Sequence, residues 1–260
     1  MSFGTASVAE NYQRYLEPVL FAPWAHRLVA YAGVQAGDVV LDLAAGTGAV
    51  ARIAARAGAE VIAADSSAPM LEHVPAGIRT LESPADALDL VDASVDVVLC
   101  QQGLQFLPDP VGALREALRV LRPGGVVAVS VWATDERLDP FDAFAEALQR
   151  DAAAAGSDRR ISNAAVEMTV HGIVDCLLVA GAADVRATRQ ELAVRWPTVD
   201  SEIAAIFGTP FGPFLDRLPS DRREGVLDDV RQQLDHGGTT GTHVTTSVLG
   251  RGVKRAARPA

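Results

Sequence analysis

The sequence predicts an α/β protein built on a parallel, doubly wound sheet, and three observations carry that expectation. From residue 38 to 132, short apolar runs alternate with stretches of helical periodicity, which is the pattern of strands and their covering helices. The run "ASVDVVLCQ" (93–101) is apolar along its length, as a strand covered on both faces should be. The stretch "LDLAAGTGAV" (41–50) carries a strand through a small-residue turn into a helix, as a nucleotide-binding unit does.

Residues 6–31 read as helical, with Tyr12, Tyr15, Leu16, Val19, Leu20, Trp24, Leu28 and Tyr31 at helical intervals. Pro18 and Pro23 are expected to break this stretch into short pieces. "DVVLDLA" is the first strand, and the helix over 47–57 can close at Gly58. "AEVIAAD" is the second strand, and "APMLEHV" a short helix with Pro69 in its first turn. "GIRTLE" and "ASVDVVLCQ" are the third and fourth strands. Asp109 and Pro110 start a helix to about residue 121, "RPGG" stops it, and "VVAVSVW" is the fifth strand. Beyond Trp132 the pattern loosens. Residues 139–155 are helical and 156–163 form a polar loop. "HGIVDCLLVAGA" is a helix ended by Gly181, and "DVRATRQELAVRW" a strand. Residues 197–236 carry four prolines among helical patches, which suggests an inserted lid, and "TTGTHVTTSVLGRGV" alternates as a final strand.

With 260 residues, 49% of them apolar and 22% charged, the chain can bury a core as one large domain or one domain with a lid. A net charge of −10, with basic residues concentrated only in the tail "RGVKRAARPA", argues against a nucleic-acid partner. No leader pattern and no run of ~18 apolar residues point to a membrane. Cys100 and Cys176 lie far apart, without metal-ligand spacing. The expectation is a reduced, soluble, cytoplasmic protein with no metal, a monomer or homodimer.

Gly46, Gly48 and Ala51 loosely fit a dinucleotide fingerprint, but Asp42 argues against a diphosphate. An acid aimed into the space that receives a dianion would repel it, whereas a ligand carrying a cation would be attracted. S-adenosylmethionine has an ammonium, a sulfonium and no phosphate. Asp65, at the end of the second strand, suits a ribose diol in either case. A strand-end acid that merely caps local amides is the plainer alternative for Asp42.

"VVLDLAAGTGAVA", "VIAADSSAPML", "DALDLVDASVDVVLCQQGLQFLPDP" and "EALRVLRPGGVVAVSVW" together resemble the ordered motifs of class I S-adenosylmethionine-dependent methyltransferases. They are most similar to the branch of ubiquinone/menaquinone-biosynthesis and bacterial natural-product methyltransferases. The resemblance implies a Rossmann-like, doubly wound sheet of seven strands with an antiparallel C-terminal hairpin, N-terminal helices and a helical lid. It divides the chain into a helical cap (1–36), a cofactor-binding core (37–195 and 237–253), a lid (196–236) and a tail (254–260). It implies S-adenosylmethionine as cofactor, S-adenosylhomocysteine as product, and a small, largely apolar or aromatic acceptor from secondary or quinone-like metabolism.

Carried over by position, Asp42 would approach the methionine ammonium, and Ala44, Gly46, Thr47 and Gly48 would lie along the methionine and ribose. Asp65 would hold the ribose diol, Ser66 and Met70 would line the adenine, and Ala85 or Asp86 would read its edge. The acid usual in the family at that place is Pro84 here. Gln101 would face the methionine carboxylate and the methyl, and Tyr12 or Tyr15 would touch that carboxylate, Tyr15 being the choice. Phe21, Trp24, Gln102, Gln105, Phe106 and Trp132 would line the acceptor.

Transfer from a sulfonium needs alignment and exclusion of water more than a base. Among the histidines, His26 and His171 are the candidates for one, each with a solvated or capping role as the alternative. Two other functions stay open. A repurposed binder, a cyclase or regulatory subunit, would keep the pocket without transferring methyl. A nicotinamide-dependent oxidoreductase would need a base such as a Tyr-x-x-x-Lys pair, and the single lysine, Lys254, does not form one.

Overall fold

The computed structural model describes residues 5–156, 168–235 and 241–256. Most of the expected polar loop, His236 and the last four residues fall outside them. Five strands run parallel: β1 (Val39–Leu43), β2 (Glu60–Asp65), β3 (Arg79–Glu82), β4 (Val95–Gln101) and β5 (Leu121–Trp132). β6 (Ala183–Arg195) and β7 (Thr242–Val253) complete a seven-stranded sheet of order β3-β2-β1-β4-β5-β7-β6. β7 runs antiparallel to both β5 and β6. This is the sheet that the resemblance implies.

The helices that follow the parallel strands begin and end where local chemistry says they should. α3 (Ala49–Arg56) opens at Gly48 and is closed by Gly58, whose φ of +91° favours glycine. α4 (Ala68–Leu71) is a single turn with proline at its start. α5 (Pro110–Val120) is capped by Asp109, whose side chain accepts from the Gly112 N–H at 2.8 Å.

The N-terminal stretch departs from expectation. α1 (Ala6–Asn11) passes into a π-helical segment (Tyr12–Phe21) and then into α2 (Ala22–Ala32), so Pro18 does not break the helix. A proline inside an α-helix removes one N–H and crowds the carbonyl four residues back. The wider π turn relieves that crowding: the Ala22 N–H donates to the Glu17 carbonyl, five residues earlier. Pro23 falls in the first turn of α2, where its missing N–H costs nothing.

The remaining helices are α6 (Phe141–Ala154), α7 (Val170–Ala180), α8 (Val199–Ile206), α9 (Phe211–Leu215) and α10 (Ser220–Leu234). α2 and α3 pack on one face of the sheet through Ala25, Val29, Val50, Ile53 and the strand residues Val40 and Val97. α5 and α7 cover the other through Leu114, Leu118, Ile173 and Leu177. A third apolar cluster lies beside the sheet. It joins Leu16 and Leu20 of the π segment, Trp24 of α2, Trp132 of β5, and side chains of α6 and α8–α10. α6 thus packs with α8, α9 and α10.

Candidate functional site

Parallel strands end together, so the chemistry-bearing side chains at the ends of β1, β2 and β4 meet at one edge of the sheet. The turn after β1 takes left-handed conformations at Ala44 (φ +55°), Gly46 (+54°) and Gly48 (+85°). A Cβ added at Gly46 would meet nothing within 4 Å. The turn therefore presents open main chain to whatever lies above it.

Asp42 is 1% exposed, and its Oδ2 accepts from the Ala51 N–H at 2.9 Å in the first turn of α3. Burial pushes its carboxyl up to about 8; the Ala51 bond and Arg52 oppose this, while Asp65 and Glu17 add to it. The amide-capping role weighed from the sequence is present, in a carboxyl that exchanges its proton near neutral pH. Asp65 accepts from the Gly46 N–H at 2.8 Å and from the Ser67 N–H at 2.9 Å, so it braces both turns. Burial raises its carboxyl too, against the pull of those main-chain bonds.

Two residues that the sequence reading left out join this edge. Glu17 of the π segment accepts from the Thr47 hydroxyl and pairs with Arg52, Oε1 to Nη1, at 2.8 Å. Arg52 also donates to the His73 carbonyl at 3.0 Å, which ties the π segment, α3 and the turn after α4 together. Tyr12 is the tyrosine that lies among the acids: burial first, then Glu17, Asp65 and Asp42, push its phenol well up. The Tyr15 ring lies instead under the Arg14 guanidinium, at 5.2 Å. The available signal for Glu17 was its spacing, seven residues before Trp24 on the same helical stripe.

At the end of β4, Gln101 donates to the Phe21 carbonyl at 2.8 Å, and Gln102 (φ +52°) donates to the Ser247 hydroxyl at 2.9 Å. Gly103 abuts the turn: its Cβ would stand 2.7 Å from that of Ala44. Gln105 accepts from the Trp132 N–H at 3.1 Å. Above these residues, Phe21 stacks on Tyr12 at 4.8 Å and meets Trp132 edge-on at 6.1 Å. Trp132 meets Trp24 at 6.2 Å, and the Trp24 Nε1 donates to Thr245 at 2.9 Å.

The other expected members differ in burial, and two adjoin this edge: Met70 shares a cluster with Tyr12, and the Ser66 N–H bonds the Asp65 carboxyl. Met70 is buried beneath Val8 and Ala9 of α1, which cover it. Ser66 and Asp86 are exposed, Ala85 is half-buried against the α5 side of the core, and Phe106 is 48% exposed. Both histidine candidates are on the surface. His26 lines a shallow groove with Val29, Ile53 and Arg56, on the side of α2 away from Trp24, because helical spacing turns position 26 outward. The His171 side chain is 89% exposed and sits 3.6 Å from Asp175 on the same helix. His243 of β7 is partly buried, 2.7 Å from the fully buried Glu202 of α8. That hydrogen bond raises its imidazole, against burial. Among the described residues, no group of three or more His, Cys, Asp or Glu is placed to hold a metal ion, and no helix is long and apolar enough to cross a membrane.

Residues 41–129 match a family model described as a methyltransferase domain. Over 222 residues the chain is 31% identical to the trans-aconitate 2-methyltransferase of Methylobacterium radiotolerans, covering 81% of this chain and 83% of that protein. An uncharacterized protein of Mycobacterium tuberculosis is 37% identical over 129 residues, and the match spans 47% of each chain, about half the length of that relative. Among solved structures, phosphoethanolamine N-methyltransferase 2 of Haemonchus contortus, in complex with phosphomonomethylethanolamine and S-adenosylhomocysteine, aligns with a TM-score of 0.62 at 16% identity. The alignment covers 98% of this chain and 60% of that one, a likeness of fold.

Proposed function

Because the chain belongs to the class I S-adenosylmethionine-dependent methyltransferases, we propose that the turn between β1 and α3 holds this cofactor and that the chain methylates a small molecule. One observation carries the placement: the buried Asp42 and the half-buried Asp65 flank an open main-chain turn with no Cβ at Gly46. The donor set fits. Asp42 is placed for the methionine ammonium, and Asp65 for the ribose diol. The main chain of Ala44, Thr47 and Gly48 gives close approach, and Gln101 stands beside the methyl. Tyr12 takes the carboxylate contact in preference to Tyr15. Ser66, Met70, Ala85 and Asp86 remain the adenine side, with Met70 under α1.

S-adenosylmethionine supplies a methyl group already activated on a sulfonium. What remains for the chain is to hold, align and exclude water, and the aromatic residues Phe21, Trp24 and Trp132 supply the dry wall. A small, largely apolar acceptor suits that wall, as in the quinone and natural-product enzymes that the sequence resembles. Neither His26 nor His171 acts as a base in this reading, since both side chains face solvent.

Calorimetry with S-adenosylhomocysteine and with NAD tests the cofactor. S-adenosylhomocysteine should bind and NAD should not. Asp65→Ala should weaken S-adenosylhomocysteine by ~10-fold or more, because two charge-assisted hydrogen bonds vanish. Unchanged affinity would remove the ribose assignment. Label transferred from a methyl-labelled donor into a small-molecule extract would separate a methyltransferase from a binder that transfers nothing.

A further inference from the structure

A buried polar atom without a partner costs about 1–3 kcal/mol, so folding alone gives no reason to keep several together. The edge of the sheet next to the turn has three. Gln101 is 9% exposed and its Oε1 has no partner; Ser130 is fully buried and its Oγ has none; nor does the Gln102 Oε1. Gln101 and Ser130 are register partners in β4 and β5, so their side chains share one face. That face is the one on which Leu249, the register partner of Ser130 in β7, enters the third apolar cluster. The Gln101 amide cannot turn round. Its nitrogen is spent on the Phe21 carbonyl at 2.8 Å, an atom that only accepts, which leaves Oε1 as a fixed acceptor. The Phe21–Trp132–Trp24 ring cluster stands over the same place.

Charge narrows what can sit there. Among the described residues, the charged side chains that are buried are Glu17, Asp42 and Glu202, all acids. A carboxylate on the acceptor would lose its water, meet the lone pairs of Gln101 beside the carboxylate that the cofactor itself carries, and find no buried cationic side chain among the described residues to answer it. A hydroxyl on a ring would donate to Gln101 Oε1 and exchange a hydrogen bond with Ser130 Oγ, while the rings take its apolar body.

We propose that Gln101 and Ser130 are the polar anchor of the methyl-acceptor site and select an uncharged aromatic alcohol over the matching carboxylic acid. The proposal rests on the reading of the neighbouring turn as the cofactor site, and it concerns binding, so it is read without turnover. Gln101 positions the hydroxyl; an amide keeps no proton near neutral pH.

The test is calorimetric titration of the full chain with 2-naphthol and with 2-naphthoate, each with and without saturating S-adenosylhomocysteine. 2-Naphthol should bind at least ~10-fold tighter than 2-naphthoate. Ser130→Ala should lower naphthol affinity by about 2–10-fold, the worth of one hydrogen bond, with a melting temperature no lower than that of the parent. Gln101→Leu should lower it further. Equal or tighter binding of 2-naphthoate, or unchanged naphthol affinity in both variants, overturns the assignment. Should S-adenosylhomocysteine itself fail to bind, the cofactor reading falls; should it bind normally beside either adverse result, only the anchor falls.

Discussion

Asp42 keeps its proton to about pH 8 in the folded chain against an ordinary 3.8, because burial outweighs the amide that it caps. The stability it contributes is therefore complete below 3.8 and lost as pH rises through about 8. The melting temperature should fall between pH 6 and 8.5, and Asp42→Asn, which keeps an oxygen for the Ala51 N–H, should flatten that slope. A ligand ammonium would draw the proton off. S-adenosylhomocysteine should then bind more tightly as pH approaches 8, with a calorimetric heat that depends on the buffer's ionisation heat. A pH-independent affinity would mean that Asp42 does not face the ammonium. Asp42 and Asp65 were legible because acids at strand ends beside a glycine turn have few other reasons to be there. Tyr12 was named only as the alternative to Tyr15, and Glu17 was not assigned, since the turn they reach belongs to an element more than twenty residues away.

The π segment acts as a clasp on the turn. Its Glu17 is held by Thr47 and Arg52, with side-chain exposures of 12% for Glu17 and 19% for Arg52. Arg52→Ala should cost about 1–3 kcal/mol in urea unfolding, since it leaves a nearly buried carboxylate poorly answered. A further buried acid, Glu202, ties α8 to β7 through His243. Asp139 and Arg137 also act on that imidazole, with opposite signs. A histidine whose folded value is raised contributes stability in full below its ordinary 6.5 and loses it as pH climbs past the folded value. Glu202→Gln should remove that part of the pH dependence in thermal melts. Strands and capped helices could be read because alternation, Asp109 and Gly58 are local signals. The π pitch could not, because Pro18 in an apolar stripe reads equally well as a break, and only packing against the turn decides between them.

The N-terminal helices, helices α6 and α8–α10 and the sheet share one apolar cluster, so none of the three is a separate folding unit in energetic terms. A variant without residues 1–21 strips Leu16 and Leu20, both essentially unexposed, from that cluster. Its urea midpoint should drop by the equivalent of several kcal/mol, at about 2–5 for each buried leucine lost. A midpoint within error of the parent would show the cap to be dispensable. Alternating strands and helices made the parallel half readable from periodicity alone. The place of β7 came only with the resemblance, because alternation says that a segment is a strand and nothing about its neighbours. That place has a bearing on synthesis. β7 lies between β5 and β6, and both precede it in the chain, so each keeps a raw hydrogen-bonding edge until Thr242–Val253 has left the ribosome. Until that segment emerges, the growing chain is open to wrong pairing and chaperone capture along both edges.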